Sequence, residues 1–154
     1  MDFHGEFQSV SPMSHCDGLV LFPTDTKVYV INPATGDVLK LPDGQKDDNP
    51  SLFPSVGFGF DPRSNTHKIA RYFYRCVDHI MQTYDARMEV FTIGQDGSGD
   101  CWRERVESPP YPVRSLQIAV RCKGSLIWKV SEMLVKPHPH AALFLSEEKI
   151  AAPV

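Results

Sequence analysis

The chain has 154 residues, long enough for one domain with a sizeable core, and its hydrophobic (42%) and charged (23%) fractions are those of an ordinary globular protein. Sixteen Lys+Arg against 19 Asp+Glu give a net charge of -3, too balanced for a nucleic-acid or membrane-surface binder. No apolar run approaches the roughly 20 residues of a membrane span, and the start, MDFHGEFQSVSPM, lacks the basic and apolar stretches of a signal peptide.

From Ser14 onward the pattern is β, with residues 1–13 read as a separate N-terminal segment. Cys16-Asp17-Gly18 is a tight turn into Leu19-Val20-Leu21-Phe22. Val28-Tyr29-Val30-Ile31 is turned back by Asn32 to Asp37 into Val38-Leu39-Lys40-Leu41. Asp43 to Asn49 reads as a solvated loop. Val56-Gly57-Phe58-Gly59-Phe60 alternates rings with glycine, as a strand does where another backbone or ring comes close. The Asp61 to Asn65 turn leads to a partner strand, His67 to Tyr74. Arg87 to Ile93 alternates with period two, with Met88, Val90 and Ile93 expected on one face and Phe91 on the other. After the Gly94–Asp100 turn come Cys101 to Val106, a hairpin around Lys123-Gly124, and a last hairpin turning at Ser146-Glu147-Glu148.

No window of a dozen residues carries a helical stripe, and the 13 prolines and 10 glycines fall almost entirely in the expected turns. The fold class is therefore all-β. Cys16-Asp17-Gly18 recurs 106 residues later as Cys122-Lys123-Gly124, which spans two units of about 53 residues, near the length of propeller blades. Each unit ends in a polar turn, a short strand and a proline: Thr35-Gly36-Asp37 to Pro42, Ser98-Gly99-Asp100 to Pro109, Ser146-Glu147-Glu148 to Pro153. Three or so blades are expected, near 14–45, 53–110 and 115–154. Propellers close with about 4–8 blades, so the expectation is an open, partial propeller with exposed sheet faces that associates with itself or with a target.

Chemistry is sparse. His15 and Cys16 are neighbours on a strand and point to opposite faces, a poor nucleophile–base pair. His138 and His140 lack further metal ligands nearby, and Asp96 to Asp100 lacks the terminal Glu of a calcium loop. GFGF at 57–60 has no following helix and no Lys-Ser/Thr, so it is no phosphate loop. No enzyme, cofactor or metal is expected. Four cysteines without CxxC pairing read as free, mostly buried thiols in a reducing compartment, cytoplasm or nucleus. Trp102, Trp128, Phe58, Phe60 and Phe144 read as blade packing. The run Tyr72-Phe73-Tyr74-Arg75 is either inter-blade packing or a protein-binding patch, since Tyr and Arg are favoured interface anchors. Tyr72, Tyr74, Arg75 and Arg87 are the candidate contact residues.

HCDGLVLF (15–22), VYVINPATGDVLKLP (28–42), GFGFDPRSNTHKIARYFYR (57–75), MEVFTIGQDGSGDCWR (88–103), CKGSLIWKV (122–130) and ALFLSEEKI (142–150) together resemble the plant F-box-associated domain over about residues 14–154. The resemblance implies a kelch-like propeller that binds other proteins. In that family the domain follows an F-box, which docks on the Skp adaptor of a cullin–RING ubiquitin ligase, while the associated domain recruits the substrate. Residues 1–13 are too short for an F-box, and the chain stops where relatives usually carry further blades. The expected function is thus a non-catalytic binder that sequesters or neutralises a partner protein, without the Skp adaptor. The alternative is the substrate-recruiting part of a ligase subunit. A small propeller hydrolase or lectin would need a convergent acid–base or metal set that the sequence does not offer.

Overall fold

Asp17 and Gly18 both sit in the left-handed region, at φ of 48° and 83°, which is what a two-residue hairpin turn between right-twisted strands requires. Their turn joins β1 (Ser14–Cys16) to β2 (Leu19–Pro23), with Cys16 opposite Leu19. The next turn is held by Asn32, whose carbonyl and side-chain oxygens accept from the Gly36 and Ala34 amides at 2.8 and 3.0 Å. It joins β3 (Val28–Asn32) to β4 (Asp37–Lys40). Asp61 organises the third turn: its carboxylate accepts from the Arg63 amide and the Ser64 hydroxyl, and Asn65 takes the positive φ, 52°. Lys68, 2.5 Å from that carboxylate, holds it well below the usual range, helped by Ser64. The turn links β5 (Ser55–Asp61) to β6 (Thr66–Asp78).

The computed structural model describes residues 5–48, 55–78, 80–81, 83–94, 101–108, 112–113, 118–122, 125–129 and 146–148. These form three antiparallel sheets in sequential order. β1 to β4 make the first. The second is β5, β6, β7 (Thr83–Ile93) and β8 (Arg103–Glu104). The third is β9 (Val120–Cys122), β10 (Ser125–Trp128) and β11 (Ser146–Glu148). Among the described residues there is no helix. The first strands of the sheets neighbour one another, β5 lying between β1 and β9. The Ala119 amide donates to the Val56 carbonyl at 2.9 Å, beside a parallel bridge between Val56 and Ile118. This is the arrangement of three propeller blades with their inner strands side by side. The two copies of Cys-x-Gly occupy equivalent places, since Cys122 ends β9 opposite Ser125 as Cys16 ends β1 opposite Leu19.

Strand alternation divides the core in two. Leu21, Val30 and Cys16 from the first blade meet Val56, Phe58, Ile69 and Phe91 from the second. The opposite face of the second blade, Ala70, Tyr72, Tyr74, Ala86 and Met88, meets Leu126 and Trp128 of the third. Phe60 and Trp102 pack against the first cluster, so the aromatics expected to fill blade seams do so where described; Phe144 lies outside the described residues.

Several sequence readings are corrected. Ile93 lies on the Phe91 face, because residues two apart share a face and residues three apart do not. Ser146-Glu147-Glu148 is no turn: its backbone pairs with Trp128, Ile127 and Leu126 as β11. Cys16 is buried, but Cys76 and Cys101 are exposed free thiols, so the cysteines are not mostly buried. On the first blade's far face, where Phe22 lies opposite Tyr29, segment 5–13 packs. Phe7 meets both rings, with centroids at 5.6 and 6.2 Å. The Tyr29 hydroxyl and Lys40 ammonium donate to the Glu6 carboxylate at 2.5 and 3.0 Å, which lowers the Glu6 pKa. The Asp96–Asp100 and His138–His140 readings fall outside the described residues.

The glycines of β5 have distinct roles. A methyl on Gly57 would sit 2.6 Å from Leu126 Cδ1 and 2.7 Å from Ala119 Cβ, whereas one on Gly59 would meet only Leu126 at 4.0 Å. Gly57→Ala should therefore destabilise the protein by about 1–3 kcal/mol through overpacking, while Gly59→Ala should stay near neutral. Urea unfolding midpoints of the two variants check this.

Candidate protein-contact surface

β6 and β7 run 13 and 11 residues and reach well past the strands beside them. β5 pairs with β6 only from Asp61 to Ser55, which faces Tyr72, and β8 pairs with β7 only at Val90 and Glu89. What projects beyond is a two-stranded arm ending at Asp78 and Thr83. Two devices support it.

The first is a β-bulge. Register shifts between Tyr74, opposite Ala86, and Cys76, opposite Asp85, leaving Arg75 as the extra residue. Because of it, Val77 packs on the same cluster as Tyr74 although three positions away, and Tyr84 stands edge-on to Tyr74 at 6.3 Å. The bulged Arg75 is turned outward and reaches Glu104 at 2.6 Å, its side chain 48% exposed.

The second is a strap made by residues 42–48, which cross from the first blade to the second. Beyond Ser55 the edge of β6 is free of β5, and the strap takes it at Tyr74. The Tyr74 amide donates to Asp47 Oδ1 at 3.0 Å and the Asp48 amide to the Tyr74 carbonyl at 2.7 Å. One turn earlier, the Gln45 amide donates to both Glu89 oxygens at 3.2 Å, and Arg71 donates to the Gln45 carbonyl at 2.9 Å and to Glu89 itself. Arg71 and Glu89 are cross-strand partners, and Glu89 is 1% exposed. Gly44 lies so close to this ion pair that a methyl there would run into the Glu89 carboxylate and the Arg71 guanidinium. Trp102 Nε1 ties the strap's start, donating to the Pro42 carbonyl at 2.8 Å. Between strap and first blade lies a cleft of about 300 Å³ lined in part by Thr24, Lys27, Asp43, Lys46, Arg71 and Trp102. Two of its charges are already engaged, Lys27 with Asp43 and Arg71 with Glu89. The 43–49 loop, read from sequence as solvated, is thus an inter-blade tie over its described part. Its buried partner lies 44 residues away in sequence, and Gly44 is the one local hint of close approach.

The candidate contact residues separate. Tyr72 and Tyr74 are 2% and 3% exposed and pack against the third blade, so they present no surface to a partner. The Tyr74 hydroxyl donates to the Val113 carbonyl at 2.8 Å, and burial pushes its phenol above the ordinary range. Arg75 and Arg87 reach solvent. Arg87 opposes Phe73 and is held by Asp85 through Nε at 2.8 Å. Sequence reading passed over the arm's end. Asp78 Oδ1 accepts from the Ile80 and Met81 amides at 2.9 Å, leaving Ile80 92% and Met81 67% exposed. A turn that spends its apolar side chains on solvent is the signal that was available: an isoleucine and a methionine where hairpin turns favour Gly, Asn or Asp.

The family model described as F-box associated beta propeller domain matches residues 3–146. Neither a curated protein nor a solved structure matches the chain.

The strap's tie makes two variants informative. Glu89→Gln leaves the Arg71 charge largely buried without its counter-ion, so a loss of about 3 kcal/mol is expected, the low end for a broken buried pair because Arg71 keeps some solvent. Gly44→Ala acts on the same contact, and the double variant should lose less than the sum of the two. Chemical denaturation of the three proteins measures both statements.

Proposed function

We propose that this chain, which belongs to the F-box associated beta propeller domain family, is a non-catalytic binder that holds a partner protein through its β6–β7 arm. The family is one of protein-interaction domains, and binding is the coarse function. The observation that carries the finer reading is the apolar pair Ile80 and Met81 at the tip of an arm whose base is braced by the bulge and the strap. Large apolar side chains in solvent gain by entering a partner's pocket. Arg75 and Arg87 stand lower on the same arm, each pre-oriented by a carboxylate, and supply charge that selects among partners. The partner is then sequestered or neutralised rather than modified.

The exposed thiols Cys76 and Cys101 fit a reducing compartment, cytoplasm or nucleus. Self-association is a second reading supported by β4. Its outer edge is unpaired among the described residues, and its Val38 and Leu39 are exposed. Recruitment of a substrate to a cullin–RING ligase is a further reading, which rests on the family description.

Affinity purification of the tagged chain from plant extract, with proteins identified by mass spectrometry, tests these readings. We expect one dominant partner without the Skp adaptor or cullin. Recovery of both of these would favour the ligase reading over sequestration. Affinity for the recovered partner should fall about 30-fold or more in an Ile80→Ser/Met81→Ser variant, the effect of losing a 2 kcal/mol anchor. Its thermal midpoint should stay unchanged. Retained affinity would remove the arm from the contact surface.

A further inference from the structure

We infer that Cys16, Asp17 and His67 form a site for a borderline-soft divalent metal ion, zinc above others, at the junction of the first two blades. The Cys16 sulfur, an Asp17 carboxylate oxygen and a His67 imidazole nitrogen all lie within 4.8 Å of one another. Cys16 Sγ is 3.4 Å from Asp17 Oδ2, and His67 Nε2 is 3.8 Å from the same oxygen. Metal–ligand bonds of about 2.0–2.3 Å at tetrahedral angles give ligand-to-ligand edges of about 3.3–3.8 Å. The 3.4 and 3.8 Å separations match such edges, and the sulfur–imidazole separation, below 4.8 Å, closes to one by side-chain adjustment.

Backbone geometry sets each ligand. Cys16 ends β1. Asp17 stands in the left-handed turn position, which Asp tolerates better than most residues. His67 is the second residue of β6, opposite Phe60, its ring packed against Phe58 and Phe60 at 5.7 and 5.0 Å. Such an apolar wall limits solvent at a metal and fixes the imidazole plane. His67 Nε2 is buried and has no hydrogen-bond partner among the described residues. A buried ring nitrogen without a partner needs an explanation, and coordination supplies one. Arg121 of β9 donates to Cys16 Sγ at 2.8 Å, the contact that a metal-bound thiolate accepts from its surroundings. Two anionic ligands balance a dication, and the Arg121 charge remains in solvent contact. Asp17, about half exposed on its side chain, opens the way in and leaves the fourth position to water. One thiolate with one imidazole selects zinc-like ions against magnesium and calcium, which take oxygen ligands. The bound ion would join β1 of the first blade to β6 of the second.

The test uses the whole chain carrying Cys76→Ser and Cys101→Ser, stripped with chelator and titrated with cobalt(II). A thiolate-to-cobalt charge-transfer band saturating at one equivalent, displaced by zinc, is expected, together with a thermal midpoint that rises with zinc. Cys16→Ser should abolish the band. His67→Ala and Asp17→Asn should each weaken cobalt binding at least about tenfold. Asn also accepts the left-handed turn, so Asp17→Asn decides the matter even if Cys16→Ser fails to fold. No band, a band that survives Cys16→Ser, or unchanged affinity in Asp17→Asn overturns the inference.

Discussion

Both faces of the β6–β7 ladder are covered, and by different neighbours. Ile69 and Phe91 look toward the first blade, Ala70, Tyr72 and Met88 toward the third. Because side chains alternate strictly along a strand, every residue of this ladder is committed to one seam or the other for as long as both neighbours last. That commitment removes Tyr72 and Tyr74 from any outer surface. It also fixes where binding chemistry can stand: past Tyr72, where β5 ends, and past the bulge, where the parity is reset.

The seams around the middle blade are closed by unlike means. Between second and third, bare backbone at Gly57 admits Leu126, Ala119 and Trp128. Between first and second, the 42–48 strap brings a buried Arg71–Glu89 pair with it. A buried ion pair adds little net stability relative to apolar packing. What this one adds is position, since its hydrogen bonds to Gln45 tolerate only one placement of the strap. On the first blade's other side, Phe7 and Glu6 engage Phe22, Tyr29 and Lys40. A partial ring thus leaves less apolar surface open than the blade count suggests.

Local chemistry was the legible part. Asp17-Gly18, Asn32 to Gly36 and Asp61 to Asn65 are turns whose own side chains and φ angles define them, so three of the hairpins follow from short strings. The Cys-x-Gly echo marked equivalent strand ends in the first and third blades for the same reason. Long-range encounters were not legible. Nothing near Asp47 announces that it will meet Tyr74, and the imidazole beside Cys16 comes from His67, not from adjacent His15, which points to the other face. The arm was missed because a bulge breaks the very alternation by which strands are recognised: Arg75 shifts the count, and residues 76–84 no longer read as a continuation of 67–74.

The bulge has an evolutionary side as well. A single extra residue at Arg75 uncouples the tip from the pleat that the two cores enforce. Replacement of Ile80 or Met81 touches no buried cluster, whereas replacement at Tyr72 or Met88 strikes one directly. The tip can therefore change its side chains, and with them its target, while the seams keep the scaffold as it is, the division of labour by which one scaffold could serve a repertoire.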